Sequence, residues 1–220
     1  MTLCRIRRRA TASPNLSLLA RHVKRGARSP GRSGLDRAGL VRDRHCGSAR
    51  VNLAKIRRMP DLTPVFDEVH AALMQSGVSV HIASRDAANV PSVGRALGCR
   101  IAPDRRRVTI FVSATQAPEL VADLRGSGMA AAVFSRPSTH ETIQIKGDDA
   151  TVGALADGDL PLIAAYADAL VRDLQALGYA EAFGRALTDF DPADLVAVAF
   201  TPKAAFRQTP GPNAGAPLER

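Results

Sequence analysis

The sequence predicts an α+β fold, mainly β: a small closed or split barrel of antiparallel strands with peripheral helices. Three observations lead there. Five or six short apolar segments of strand length recur between residues 78 and 200. Charged or Pro/Gly turns separate several of them, as at Pro103-Asp104-Arg105-Arg106-Arg107. No glycine-rich turn follows a strand and opens a helix at the spacing of a dinucleotide or P-loop site, which disfavours a doubly wound sheet and nucleoside triphosphate chemistry.

The chain changes character at Met59. Residues 1–58 hold sixteen Lys+Arg against two acids, Asp36 and Asp43, whereas residues 59–220 hold fourteen against nineteen, so the overall net charge of +9 describes neither part. The leader alternates Arg with Ser, Gly, Ala and Pro and has too little contiguous apolar surface to offset the entropy of ordering, so disorder is expected. Three readings compete for it: a nucleic-acid-binding arm, an organelle transit peptide, or a segment upstream of the functional start. Counterion release would give an Arg-rich arm non-specific affinity for phosphodiesters. Residues 1–58 hold no Phe, Tyr or Trp to stack on bases, which disfavours nucleic acid as a partner. Met59 as functional start is the preferred reading, because Met59-Pro60-Asp61-Leu62-Thr63-Pro64 leads into a capped helix. The domain limits are then 1–58 for the leader, 59–206 for the barrel and 207–220 for a Pro/Gly-rich tail.

The 162 residues from Met59 are enough for one domain that buries roughly two-thirds of its unfolded surface. Thr63 is the expected cap of the first helix, with Pro64 at its first position, Asp67 and Glu68 at the positive end of the dipole, Val65, Val69, Ala72 and Leu73 on the apolar stripe, and Gly77 as its stop. Val78–Ser84 alternates as a half-buried strand. Arg85–Pro91 is read as a connection, Arg95–Ile101 as the second strand and Val108–Ser113 as the third, giving a meander. A short helix begins at Thr115, buries Leu120, Val121 and Leu124, and ends at Gly126 and Gly128. Met129–Phe134 and Thr139–Gly147 are the fourth and fifth strands, joined through Arg136 and Pro137. The longest helix runs from about Asp159 to Leu177, and a second helical piece carries Phe183 and Leu187. Asp191-Pro192 caps a turn before the strand Leu195–Phe200. The end, Gln208–Gly215, is too rich in Pro and Gly for a ladder and should drape over the surface.

Cys4, Cys46 and Cys99 show no metal-ligand spacing, and His70, His81 and His140 are scattered, so a zinc site is disfavoured. With a single cysteine in the barrel, a reducing cytoplasm is the default expectation. No apolar run is long enough to span a membrane.

The residues that carry chemistry are Arg95-Ala96-Leu97-Gly98-Cys99-Arg100 and, on the next strand, Val112-Ser113. Two guanidiniums and a hydroxyl on neighbouring strands can grip a phosphate through charge-assisted bonds; the plainer alternative is that the arginines solvate an edge face and Ser113 ends a strand. Together with Glu141–Gly147, these strands resemble the FMN-binding split barrel of the pyridoxamine 5′-phosphate oxidase-like family, over roughly residues 62–206 in element order. The resemblance implies FMN laid across the strands at a homodimer interface. Arg95 and Arg100 would fill the two basic ends of the flavin-contacting stretch, and Ala96 and Leu97 would offer backbone to the ring. Val112 and Ser113 would reach the phosphate, and Thr142 would stand near the place of a flavin-contacting Gln. The chain departs from the family at Ala114–Pro118, which lacks the usual basic pair, leaving Thr115 and Gln116 as neutral substitutes. It also lacks the C-terminal Trp- and Arg-containing segment of the vitamin B6 oxidases, so activity on pyridoxamine phosphate is not expected.

The function implied is an FMN-dependent oxidoreductase or flavin reductase acting on a small molecule, with hydride or electron transfer supplied by the cofactor. The alternative is a non-catalytic holder or sensor of flavin or haem, with His81 or His140 as axial ligand. These two histidines are also the candidate proton donors, although a structural role is the plainer reading of each. Arg136 is a candidate for a substrate anion.

Overall fold

A computed structural model describes residues 63–218, within a compact unit spanning Arg57–Arg220. The leader 1–58 therefore lies outside the described residues. The elements are α1 (Glu68–Met74), β1 (Ser79–Arg85), β2 (Pro91–Ala96), β3 (Cys99–Ile101), β4 (Val108–Ser113), α2 (Pro118–Ser127), β5 (Ala130–Ser135), β6 (Thr142–Gly147), β7 (Thr151–Gly153), α3 (Asp159–Ala176), α4 (Glu181–Leu187), a 3₁₀ turn (Pro192–Asp194), β8 (Leu195–Phe200) and β9 (Ala204–Arg207).

All strand pairs are antiparallel and fall into two sheets, one ordered β2-β1-β5-β6-β9 and the other β3-β4-β8-β7. This is a split β-barrel of α+β class, as the sequence predicts. The core lies between the sheets, where Val80, Ile82, Phe134, Ile145, Ile110, Val198 and Phe200 are fully buried. In β4 every one of the six residues is buried, as a central strand covered on both faces requires.

The expected second strand, Arg95–Ile101, is in fact two. Gly98 takes φ +96, a left-handed conformation that suits glycine, and the chain leaves one sheet at Ala96 and enters the other at Cys99. The backbone bonds to β4 continue through the break: Leu97 N–H donates to Phe111 O at 2.9 Å and Phe111 N–H to Gly98 O at 3.2 Å. A Cβ on Gly98 would stand 2.8 Å from Tyr166 Cγ, so α3 packs directly against this corner. The simple meander is corrected accordingly: β1 and β2 form one hairpin, β3 and β4 another, in different sheets. Pro91, read as connection, opens β2, an edge strand where its missing N–H is tolerated.

Helix α1 starts later than Thr63 suggests. Asp67 is the N-cap, accepting the His70 N–H at 2.9 Å, and this shifts the buried face to Ala71, Leu73 and Met74 and leaves Val69 73% exposed. Helix α2 starts at Pro118 rather than Thr115, because Thr115 is bonded to Asp194, and it ends on Gly128 with φ +66. Helix α3 matches its predicted span to within one residue and buries Ile163, Tyr166, Ala167, Leu170, Val171 and Leu174. Two short strands, β7 and β9, escape the sequence reading. The tail does not simply drape: Phe206 bridges Pro217, Leu218 N–H donates to Ala205 O at 2.9 Å, and Leu218 is buried. Among the described residues, no helix is long and apolar enough to cross a membrane.

Candidate functional site

Alternation along β1 places Ser79, His81 and Ala83 on the face of the five-stranded sheet that points away from the core, while Val80, Ile82 and Ser84 are buried. In register, His81 stands opposite Arg95 of β2 and Val133 of β5. The Arg95 guanidinium is half-buried and donates one long hydrogen bond, 3.3 Å, from Nη1 to Ser79 Oγ. Among the described residues, it pairs with no carboxylate. Its charge acts on two neighbours. Burial, and then Arg95, hold His81 below its usual range, so the imidazole is neutral at pH 7. Burial raises the Tyr166 hydroxyl above its usual range, with Arg95 opposing.

Arg95 and Ser79 open onto a cavity of about 520 Å³. Its polar end adds Ser138 and His140 from the turn between β5 and β6. Its apolar wall comes from α3, α4 and the connection between them and includes Leu170, Leu174, Tyr179 and Phe183, the last two stacked with ring centroids 5.1 Å apart. Asp173 of α3 fixes the turn by accepting the Ser138 N–H at 3.1 Å and its hydroxyl at 2.6 Å. His140 sits at φ +58, and the Thr142 hydroxyl donates to its carbonyl at 2.9 Å. A guanidinium without a carboxylate partner among the described residues, an imidazole and an apolar wall can together take a flat molecule with an anionic end.

The other candidates do not gather there. Arg100, on β3 of the second sheet, donates from Nε to Asp159 Oδ1 at 2.8 Å, and this carboxylate is 1% exposed at the start of α3. Asp159 also accepts the Ala156 N–H at 2.8 Å. Ala96, Leu97 and Val112 are buried, and the Leu97 N–H is already bonded to Phe111. Ser113 and Thr115 surround a carboxylate of the protein itself. Both hydroxyls donate to Asp194 Oδ2, and the Thr115 N–H donates to Oδ1 at 2.9 Å. Gln116 N–H donates to Ser113 Oγ at 3.2 Å. The Ser113 hydrogen bond, followed by those of Thr115, holds the Asp194 carboxyl below its usual range. Thr142 Oγ1 lies 2.8 Å from Ser135 Oγ and shapes the His140 turn. Cys99 is a buried thiol pushed up to about 12 by desolvation, and it donates to Met74 O at 3.3 Å.

Solved structures similar to the chain include proteins of the pyridoxamine 5′-phosphate oxidase type, the family that the sequence resembles. A candidate pyridoxamine 5′-phosphate oxidase from Lactobacillus delbrueckii shares 18% identity over 64% of this chain and 93% of its own, at TM-score 0.39. An F420 reductase shares 14% identity over 64% and 98%, at TM-score 0.43. HutZ from Vibrio cholerae, a heme storage protein, shares 11% over 63% and 92%, at TM-score 0.38. No protein-family model and no curated protein matches the chain.

Sequence reasoning missed Ser79, Ser138 and the α3–α4 wall. The first was within reach, since period-two alternation puts Ser79 and His81 on one face. The wall was not, because it requires knowing which sheet edge α3 crosses. Asp194 could have been suspected from Asp191-Pro192-Ala193-Asp194, a capping pattern with one acid to spare.

Proposed function

We propose that the protein binds FMN in the cavity beneath α3 and α4 and acts as an oxidoreductase on a small molecule. The observation that carries this reading is Arg95: a half-buried cation with no carboxylate partner among the described residues, facing a cavity of about 520 Å³. That volume falls within the range of cofactor sites, and the donor set fits an anionic, flat cofactor. In this reading Arg95 and the Ser79 hydroxyl hold the phosphate, and Leu170, Leu174 and Phe183 exclude water from the ring. The bound flavin supplies two-electron or hydride chemistry. His140 is the imidazole that lines this cavity and could hold or pass a proton at a ring nitrogen, while His81 stands opposite Arg95 on the neighbouring strand. The Ser113–Thr115 corner is not assigned to the phosphate, because Asp194 already places an anion there.

A homodimer belongs to the same proposal. The outward face around β1, β2 and β5 carries Ala83, Val93, Ala131 and Val133, with Val93 68% exposed, and a second copy is the partner proposed for it. Haem is the alternative ligand, favoured by His140 in the same cavity.

The test is the absorbance and released-cofactor mass of the purified full-length chain. Flavin bands with a released mass matching FMN support the proposal, and a Soret band supports haem. A colourless protein that takes up neither on titration overturns both. Oxidation of a reduced nicotinamide by the loaded protein distinguishes an enzyme from a holder, and light scattering measures the dimer.

A further inference from the structure

On the far side of the β5–β6 turn lies a second cavity, of about 320 Å³, which shares no lining residue with the first. It is built from Ser76 and Gly77 at the entry to β1, Arg136 at the start of the turn, and Arg172, Asp173 and the small residues of α3. Gly77 is required here: a Cβ would stand 2.2 Å from the Ala169 carbonyl carbon, so the chain runs directly against the α3 backbone.

The charges around this cavity are unbalanced in a specific way. Arg136 Nη2 donates to Ser76 Oγ at 3.3 Å, while its Nε is buried and has no hydrogen-bond partner among the described residues. Ser76 donates its own proton to Leu73 O at 2.6 Å, so its oxygen can only accept. Asp173 is the one acid lining the cavity among the described residues, and both its oxygens are engaged by Ser138. Arg172 forms no ion pair among the described residues; its field reaches Asp168, itself bonded to Arg185. Two guanidiniums thus line one polar cavity with no free carboxylate between them.

We propose that Arg136 and Arg172 form a site for the dianionic phosphate group, separate from the flavin cavity. Its several oxygens can accept from the Arg136 and Arg172 guanidiniums together, each through a charge-assisted bond. Free phosphate and the phosphate of a small monoester present the same chemistry, and the experiment distinguishes them.

The experiment follows the arginine Nε–H resonances of the full-length protein during titration with inorganic phosphate and, separately, glycerol 3-phosphate. A saturable shift of the Arg136 Nε–H is expected, with the tighter of the two ligands identifying the source. Arg172→Gln, on the exposed side of α3, should weaken the site about tenfold. Arg95→Gln should leave it unchanged while impairing FMN, so the two proposals fail separately. A shift that stays linear in phosphate, as from counterions around the basic leader, overturns the site. So does an affinity that Arg172→Gln leaves intact or that Arg95→Gln abolishes. Arg136→Lys, which keeps the charge but removes the planar guanidinium fork, should also weaken binding, and unchanged affinity in that variant overturns the geometry.

Discussion

Arg95 and Arg100 stand five residues apart, yet they belong to two different environments. Arg95, next to last in β2 of the five-stranded sheet, faces a cavity, and its guanidinium has a hydroxyl as its single hydrogen-bond partner among the described residues. Arg100 lies on β3 in the other sheet and neutralises a carboxylate that is 1% exposed. One arginine is left free to meet a ligand; the other is fixed by the fold. The difference arises at Gly98, where a single left-handed residue transfers the chain between sheets.

The sharpest way to break this contrast is to remove the transfer point. Gly98→Ala forces a Cβ against Tyr166 at a φ that L residues rarely adopt, and should cost about 3–5 kcal/mol in urea unfolding. A cost under about 1 kcal/mol would mean that the corner can relax and that the two arginines are not held apart by it. Arg100→Ala comes next. It leaves Asp159 buried without its cation, for a loss of about 3 kcal/mol, the low end for a broken buried pair because the guanidinium side is 43% exposed. The folded fraction should still bind FMN normally. Arg95→Ala should do the reverse, with stability within about 1 kcal/mol of the parent. Affinity for FMN should fall about tenfold to a hundredfold, as expected for loss of a charged hydrogen bond, with riboflavin unaffected. Equal losses for both flavins would remove Arg95 from the phosphate.

The smallest effect is in pH dependence. Folding lowers the His81 pKa from its ordinary 6.5, so the unfolded chain takes up the proton first. Stability from this residue is complete above about pH 6.5, declines as pH falls toward the folded value, and levels off below it. Arg95→Ala removes the second cause of that shift, so its stability curve between pH 7 and 5 should be shallower than the parent's. An unchanged slope would place Arg95 too far from His81 to act on it.

The parts of the molecule legible in the sequence are those whose signal is local. Val108–Ser113 reads as a strand because its residues are apolar or β-branched almost throughout, and α3 reads as a helix because Ile163, Ala167, Leu170 and Leu174 keep helical spacing. Thr151–Gly153 and Ala204–Arg207 do not read as strands. They are three and four residues long, and their extended form comes from pairing with β8 and β6. The candidate site divides in the same way. The run of arginines is visible as charge, but what each one meets depends on partners far along the chain: Asp159 lies 59 residues from Arg100, and Asp194 lies 81 from Ser113. Nothing in a linear reading reveals that the hydroxyl pair after β4 is already turned toward an acid.

The returning C-terminal segment has a bearing on how copies of this chain can associate. Arg207 N–H donates to Ala216 O at 2.9 Å and Leu218 N–H donates to Ala205 O, so the outer rim of β9 is already satisfied from within. A foreign strand cannot extend the five-stranded sheet from that rim without first peeling the segment away. In the dimer proposed above, the copies then meet by flat apposition, which ends at two, and not by growth from the β9 rim, which has no natural stopping point.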